Sequence, residues 1–392
     1  MFFIDNGKIV LTYHAEDSTM VFGNCITCHR TDWRFFPVAP FAFGGYMKKI
    51  SFKWIFNLSV LAISLGVLCY FAFSEDGILD LVKNVKGVKM GWLFGALLSV
   101  MVSWMLECQI LFMFVRTFHP KYSYFDCLQV SMAGQFFCAV TPFASGGQPM
   151  QLYIMKQQGV NASSSLSAMI QKFIIFQSSM TGYALFLIAL NFRFFREKLS
   201  SYMYMAIIAL LINFGIICFF YVFSSNRGLT RTVFRWIYFA LSKLGIVKNP
   251  EEKLASFQEQ LDLFHDNNIL LKRNKKLAVK SVVFTLLQLT TLFLVPICIY
   301  KSFQYPGYPL AQMMTANSVV TMIAAFIPLP GGSGAAEGSF FIFFSIFFTL
   351  PGTLKPAVFL WRFITYYLSI AMSSPFALAR KRKQLEPSDA AA

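Results

Sequence analysis

The sequence predicts an all-α, polytopic transmembrane bundle, and three observations carry that prediction. Several apolar runs are long enough to cross a bilayer, in a chain that is 56% hydrophobic and 13% charged. Basic residues fall mainly between and beyond those runs, as topology signals do. Two apolar stretches, 141–156 and 326–340, are interrupted by Gly and Pro. Such a break is tolerated at membrane depth only where protein or a water-filled cavity covers it.

A net charge of +16 suggests nucleic acid in a soluble chain. Here it reads as topology signal and attraction to anionic lipid, so no nucleic-acid partner is expected. Most of the cysteines lie in or beside apolar segments and read as small hydrophobes rather than a disulfide framework. Residues 1–46 are polar and aperiodic, without a signal-peptide core. They contain Cys25, Cys28 and His29 in the c-type haem attachment pattern. The basic residues that follow place this end in the cytoplasm, where haem attachment is not expected; no second ligand pair supports zinc. Neither a metal nor another cofactor is expected. Met47 followed by Lys48, Lys49 and an apolar run resembles an ordinary membrane-protein start, so 1–46 are expected to be a non-native or disordered extension.

The membrane domain is expected over 47–383, with a tail at 384–392. Spans are predicted at about 54–73, 91–115, 166–190, 203–223, 277–300 and 355–378. Broken re-entrant hairpins are predicted at about 124–156 and 310–350, the helix of the first restarting over 150–156. Residues 191–202 read as a loop, with Arg193, Arg196 and Lys198 mildly against the positive-inside rule. The loop 224–276 carries ten basic residues against five acidic ones, which makes it cytoplasmic. Amphipathic helices are expected there at 230–244 and 250–274, packed under the membrane domain or lying in the headgroup layer. The basic tail at 380–383 puts the C-terminus inside, and the basic start puts the N-terminus there too. That parity makes the two hairpin units inverted relative to each other. Paired, Gly/Pro-broken segments in corresponding halves point to a transporter binding site near the midplane.

A helix restarting after such a break presents free N–H groups and a positive dipole end, which suits phosphate or carboxylate. Gly146, Gly147, Gln148 and Gln151 supply one such end, and Gly331, Gly332, Ser333, Gly334 and Ser339 the other. Four ionisable residues sit in or near apolar segments, where each needs a partner: Glu107, Lys172, Glu337 and Arg362. Lys172 and Arg362 are assigned to a lipid phosphate. Glu107 and Glu337 are assigned to a cationic headgroup or to ion or proton coupling. The competing assignment pairs the four internally as structural salt bridges. Tyr366 and Tyr367 read as lipid-facing or core material, and His119 and His265 as solvated. No catalytic residue set and no nucleotide motif is visible.

The stretches 141–156 and 326–340, with the arginine and tyrosine pair of 361–369, resemble the membrane domain of the lysylphosphatidylglycerol synthase/flippase family, as in multiple peptide resistance factors. The resemblance implies a flippase-like translocase in the bacterial cytoplasmic membrane for a charged or aminoacylated phospholipid such as lysylphosphatidylglycerol, linked to antibiotic resistance. The C-terminal synthase domain of two-domain relatives is expected to be absent, so a lysyltransferase label would be inherited. The open alternatives are a membrane-embedded lipid-modifying transferase and a non-transporting partner of a separate lipid synthase. The oligomeric state is not legible.

Overall fold

The computed structural model describes residues 2–5, 8–11, 88–199, 203–243, 258–307, 309–325, 327 and 329–378. The span expected at 54–73, the tail 384–392 and almost all of 1–46 lie outside the described residues. Two strands, β1 (Phe2–Asp5) and β2 (Lys8–Leu11), pair antiparallel with Phe3 opposite Val10, within a unit of their own. Every other described element is a helix.

The membrane bundle begins with α1 (Met90–Phe118), whose inner face, including Ala96, Val100, Trp104 and Leu111, packs along α9 (Lys275–Ser302). The first hairpin consists of α2 (Tyr124–Val140), a tight turn at Pro142–Ala144 and α3 (Gly147–Gln157). Helix α4 (Ala162–Leu190) follows. Side chains cap these helices in place: Ser123 Oγ accepts from Phe125 N and Asn161 Oδ1 from Ser163 N, satisfying N–H groups that lack a helical partner. The second hairpin consists of α10 (Leu310–Ala324), a turn at Pro330–Gly332 and α11 (Ala335–Phe344). The last helix runs as α12 (Leu354–Arg362), a π-turn at Phe363–Tyr367 and α13 (Leu368–Leu378).

The hairpin limbs are 17, 11, 15 and 10 residues long. At about 1.5 Å per residue each falls short of the roughly 30 Å hydrocarbon core, so none crosses alone. Among the described residues, four other helices are long and apolar enough to cross: α1, α4, α9 and α6 (Met203–Ser225). Helix α6 exposes Ile207, Leu211, Phe214 and Phe219, the surface of a helix that faces lipid. Helix α9 contains Pro296, which has no N–H for the carbonyl of Leu292. Asn317 Nδ2 on α10 donates to that carbonyl at 3.3 Å.

Three expectations need correction. The helix of the first hairpin restarts at Gly147 rather than Met150, because Pro149 then falls in the first turn, where a missing N–H leaves no bond unmade. Residues 192–199 are not a plain loop but the short helix α5 (Phe192–Leu199), which buries Phe195 and turns Arg193, Arg196 and Lys198 outward. His265 is buried rather than solvated: burial, with Arg227 alongside, holds its imidazole below the usual value.

His265 lies on α8 (Gln258–Arg273), which with α7 (Arg227–Lys243) makes up the two helices described wholly within 224–276. Leu261 and Phe264 of α8 are buried against the bundle, as their spacing predicts. A polar seam fixes it to α4: Ser163 Oγ donates to Gln260 Oε1 at 2.6 Å, Ser167 Oγ to Phe264 O at 3.1 Å, and Gln171 Nε2 to Asn268 Oδ1 at 2.9 Å. The four-residue spacing of Ser163, Ser167 and Gln171 puts all three on one face of α4. Among the described residues the cysteines are free thiols, Cys108 and Cys127 fully buried.

Candidate functional site

The two hairpins follow the same backbone course through the residue before the proline and two left-handed positions, and then part, with Ser145 and Gly146 right-handed helical where Ser333 is extended and Gly334 has a φ of 85°. In the first, Thr141 is extended, as a residue before proline must be, and Phe143 and Ala144 both have a φ of 53°. In the second, Leu329 is extended, and Gly331 and Gly332 have φ values of 61° and 62°. Three hydrogen bonds recur in register. Ala144 N donates to Thr141 O at 3.2 Å where Gly332 N donates to Leu329 O at 2.8 Å. Ser145 N and Ser333 N reach the carbonyls of Pro142 and Pro330 at 3.1 and 3.3 Å. Their hydroxyls donate to the same carbonyls at 2.8 and 2.9 Å. A helix starts two residues later in both, at Gly147 and at Ala335. Pro142, Ser145 and Gly146 are thus the counterparts of Pro330, Ser333 and Gly334, and the Gly-Gly pairs conspicuous in the sequence are not equivalent.

The two turns touch. A cleft of about 190 Å³ lies there, with Phe143, Ala144, Ala324, Ala325, Leu329 and Gly331 in its wall, all without polar side chains. Polar groups gather behind the turns in two clusters. At the second break, Arg362 Nε lies 2.7 Å from Glu337 Oε1, and both side chains are 5% exposed. The guanidinium also donates through Nη2 to Gly331 O at 2.7 Å and to Ser333 Oγ at 3.0 Å. The other carboxylate oxygen of Glu337 accepts Gly334 N at 2.6 Å, so a carboxylate already occupies the positive end of α11. Gly332 is needed for close approach: a Cβ there would come 2.5 Å from the carbonyl oxygen of Ala324.

The first break is built differently. Lys172 Nζ on α4 lies 2.8 Å from Glu107 Oε1 on α1, with both side chains 15% exposed, and Gln135 on α2 donates to the other oxygen of Glu107. Gly146 N donates to Thr141 Oγ1 at 2.8 Å. Gly147 lets α3 close on Cys138 and the carbonyl of Gly134, and Gly134 gives room for the buried side chain of Gln151. Gln148 is exposed, and the first turn of α3 carries no acidic residue.

The sequence-predicted residues therefore fall into two groups. Gly331, Ser333, Gly334, Glu337 and Arg362 meet in one; Glu107 and Lys172 meet in the other, where the sequence reading left out Gln135. The four ionisable residues pair with one another, which is the geometry of the internal salt-bridge assignment. Tyr366, read from the sequence as lipid-facing or core material, is buried and also belongs to this cluster, a role the sequence reading did not give it. Its hydroxyl donates to Ala139 O of the first hairpin at 3.0 Å, and its ring lies 4.2 Å from the Arg362 guanidinium. The available signal was its position one helical turn after Arg362.

Spanning helices, paired broken hairpins and ion pairs buried among them define a multi-pass integral membrane protein. Residues 57–373 match the family described as Lysylphosphatidylglycerol synthase TM region, and the chain belongs to that family. The membership gives it a membrane-lipid-related function. Among curated proteins it is similar to a UPF0104 membrane protein of Archaeoglobus fulgidus, 26% identical over 270 residues, covering 67% of this chain and 79% of that one. It is also similar to an uncharacterized protein of Mycoplasma genitalium, 21% identical over 346 residues, covering 82% and 86%. No solved structure matches it.

Proposed function

We propose that the protein is a flippase-type translocase of the bacterial cytoplasmic membrane, with both termini cytoplasmic, that moves a charged or aminoacylated phospholipid such as lysylphosphatidylglycerol between leaflets. The observation that carries this reading is the meeting of two equivalent breaks in otherwise apolar sequence, one backed by a buried ion pair and the other by a partly buried one. Broken segments in corresponding halves are where transporters hold their cargo.

The ion pairs support the chemical class. Opening one strands two buried charges, which is strongly unfavourable unless each finds a new partner. A headgroup bearing both phosphate and ammonium offers both partners at once. Arg362, with its planar fork, and Lys172 would take the phosphate; Glu337 and Glu107 would take the ammonium or a proton.

The test is lipid movement in proteoliposomes. Fluorescent lysylphosphatidylglycerol is placed in one leaflet, and its exposure is read by a membrane-impermeant quencher. Arg362→Lys, which keeps a cation opposite Glu337 but loses the planar fork, is expected to slow exchange at least about tenfold while the protein stays monodisperse. A wild-type rate equal to that of empty vesicles, or an Arg362→Lys rate equal to wild type, would remove the reading.

A further inference from the structure

We propose that Tyr366 couples the two broken hairpins, passing a change in the Arg362 cluster of the second to the turn of the first. The coupling serves the translocation proposed above, but its geometry stands without it.

Three contacts converge on this one side chain, which is 4% exposed. Its hydroxyl reaches Ala139 O in the last turn of α2. That carbonyl is among those a helix end leaves without an internal N–H partner. Its near neighbour Phe137 O is satisfied by Thr141 Oγ1 at 2.5 Å, so two side chains divide the finishing of α2 between them. Thr141 belongs to the first hairpin; Tyr366 belongs to the other half of the molecule.

The ring of Tyr366 does two further things. It faces the Arg362 guanidinium at 4.2 Å, a favourable cation–π distance that helps to fix the plane of the fork. It also packs on Gly331, leaving no room there for a Cβ. Gly331 in turn gives its carbonyl to Arg362. A shift of the guanidinium therefore moves the ring, and the ring holds the end of α2. Tyr366 sits in the π-turn Phe363–Tyr367, a helical irregularity of the kind that recurs at functional positions. Tyr366 is a positioning residue: none of these contacts requires it to touch the lipid.

The test is a double-mutant cycle read at Cys138, whose sulfur donates to Ala144 O at 3.4 Å and so reports on the first turn. The purified full chain in detergent is treated with N-ethylmaleimide, and modification of Cys138 is timed by peptide mass spectrometry. With Tyr366 present, Arg362→Lys is expected to change the Cys138 rate about threefold or more, and in Tyr366→Phe by less than about 1.5-fold. Equal changes in both backgrounds, or no change in either, overturn the coupling. Should Tyr366→Phe fail to fold, amide hydrogen exchange over 137–147 in Arg362→Lys alone decides: faster exchange supports the coupling and unchanged exchange overturns it. The readout needs no lipid movement. An inactive wild type with the cycle intact would refute translocation and leave the coupling standing.

Discussion

At the first break the left-handed backbone positions are held by Phe143 and Ala144; at the second they are held by Gly331 and Gly332. L-residues pay roughly 1–2 kcal/mol for that conformation and glycine does not. The first turn is therefore the strained one, and it is also the open one: Phe143 is 60% exposed, and Ala144, Ser145 and Gln148 are exposed with it. The second is relaxed and enclosed, with Pro330, Gly332, Ser333 and Glu337 buried around Arg362. One backbone design thus serves once as a packed anchor and once as an exposed, strained tip. The ion pairs follow the same division. Arg362 and Glu337 are 5% exposed, whereas Lys172 and Glu107 are 15% exposed.

The largest effect is expected from Gly332→Ala. The new Cβ meets the backbone of Ala324, which cannot step aside, and it adds left-handed strain. The change should cost about 3 kcal/mol or more and leave little folded protein in detergent. Recovery at wild-type yield and melting temperature would refute the anchor. Next in size is Glu337→Gln, which leaves the Arg362 charge buried and unopposed, at a cost of about 3–5 kcal/mol. Glu107→Gln should lower the melting temperature less, because the Glu107–Lys172 pair is more exposed than the Glu337–Arg362 pair. The reverse order of the two melting temperatures would break the comparison. The smallest effect is Ala144→Gly at the position equivalent to Gly332. It relieves the left-handed penalty and is expected to be neutral or to raise stability by up to about 1 kcal/mol, read as a small upward shift in melting temperature. A marked loss there would show that the strain at the first turn is not what the backbone angle implies.

Much of this was legible in the amino-acid sequence. Apolar length marks the spans, and Pro with Gly inside apolar sequence marks the breaks. A charge among apolar neighbours marks Glu107, Lys172 and Arg362, because each of these signals is local. The partnerships were not legible. Glu107 and Lys172 lie 65 residues apart, and Arg362 and Gly331 lie 31 apart, so only packing decides that they meet. The register of the repeat was hidden by chance composition. The eye aligns Gly-Gly with Gly-Gly, while the structure aligns Pro142 with Pro330 and places non-glycine residues where glycines stand in the other half. Burial of His265 was equally non-local. It depends on how α8 docks beneath α4, and an amphipathic pattern fixes the buried face without saying what closes its edge.

Pro296 gives α9 a point of low bending stiffness, and Asn317 clamps that point to α10. Mechanically, the two helices form a hinged strut, packed through the core, with a hydrogen-bonded tie placed at the hinge. A force on the end of α9 beyond Pro296 is delivered to the first limb of the second hairpin instead of being absorbed as helix flexure. The second hairpin is therefore tied to α9 as well as enclosed, whereas Phe143 at the other tip stands exposed.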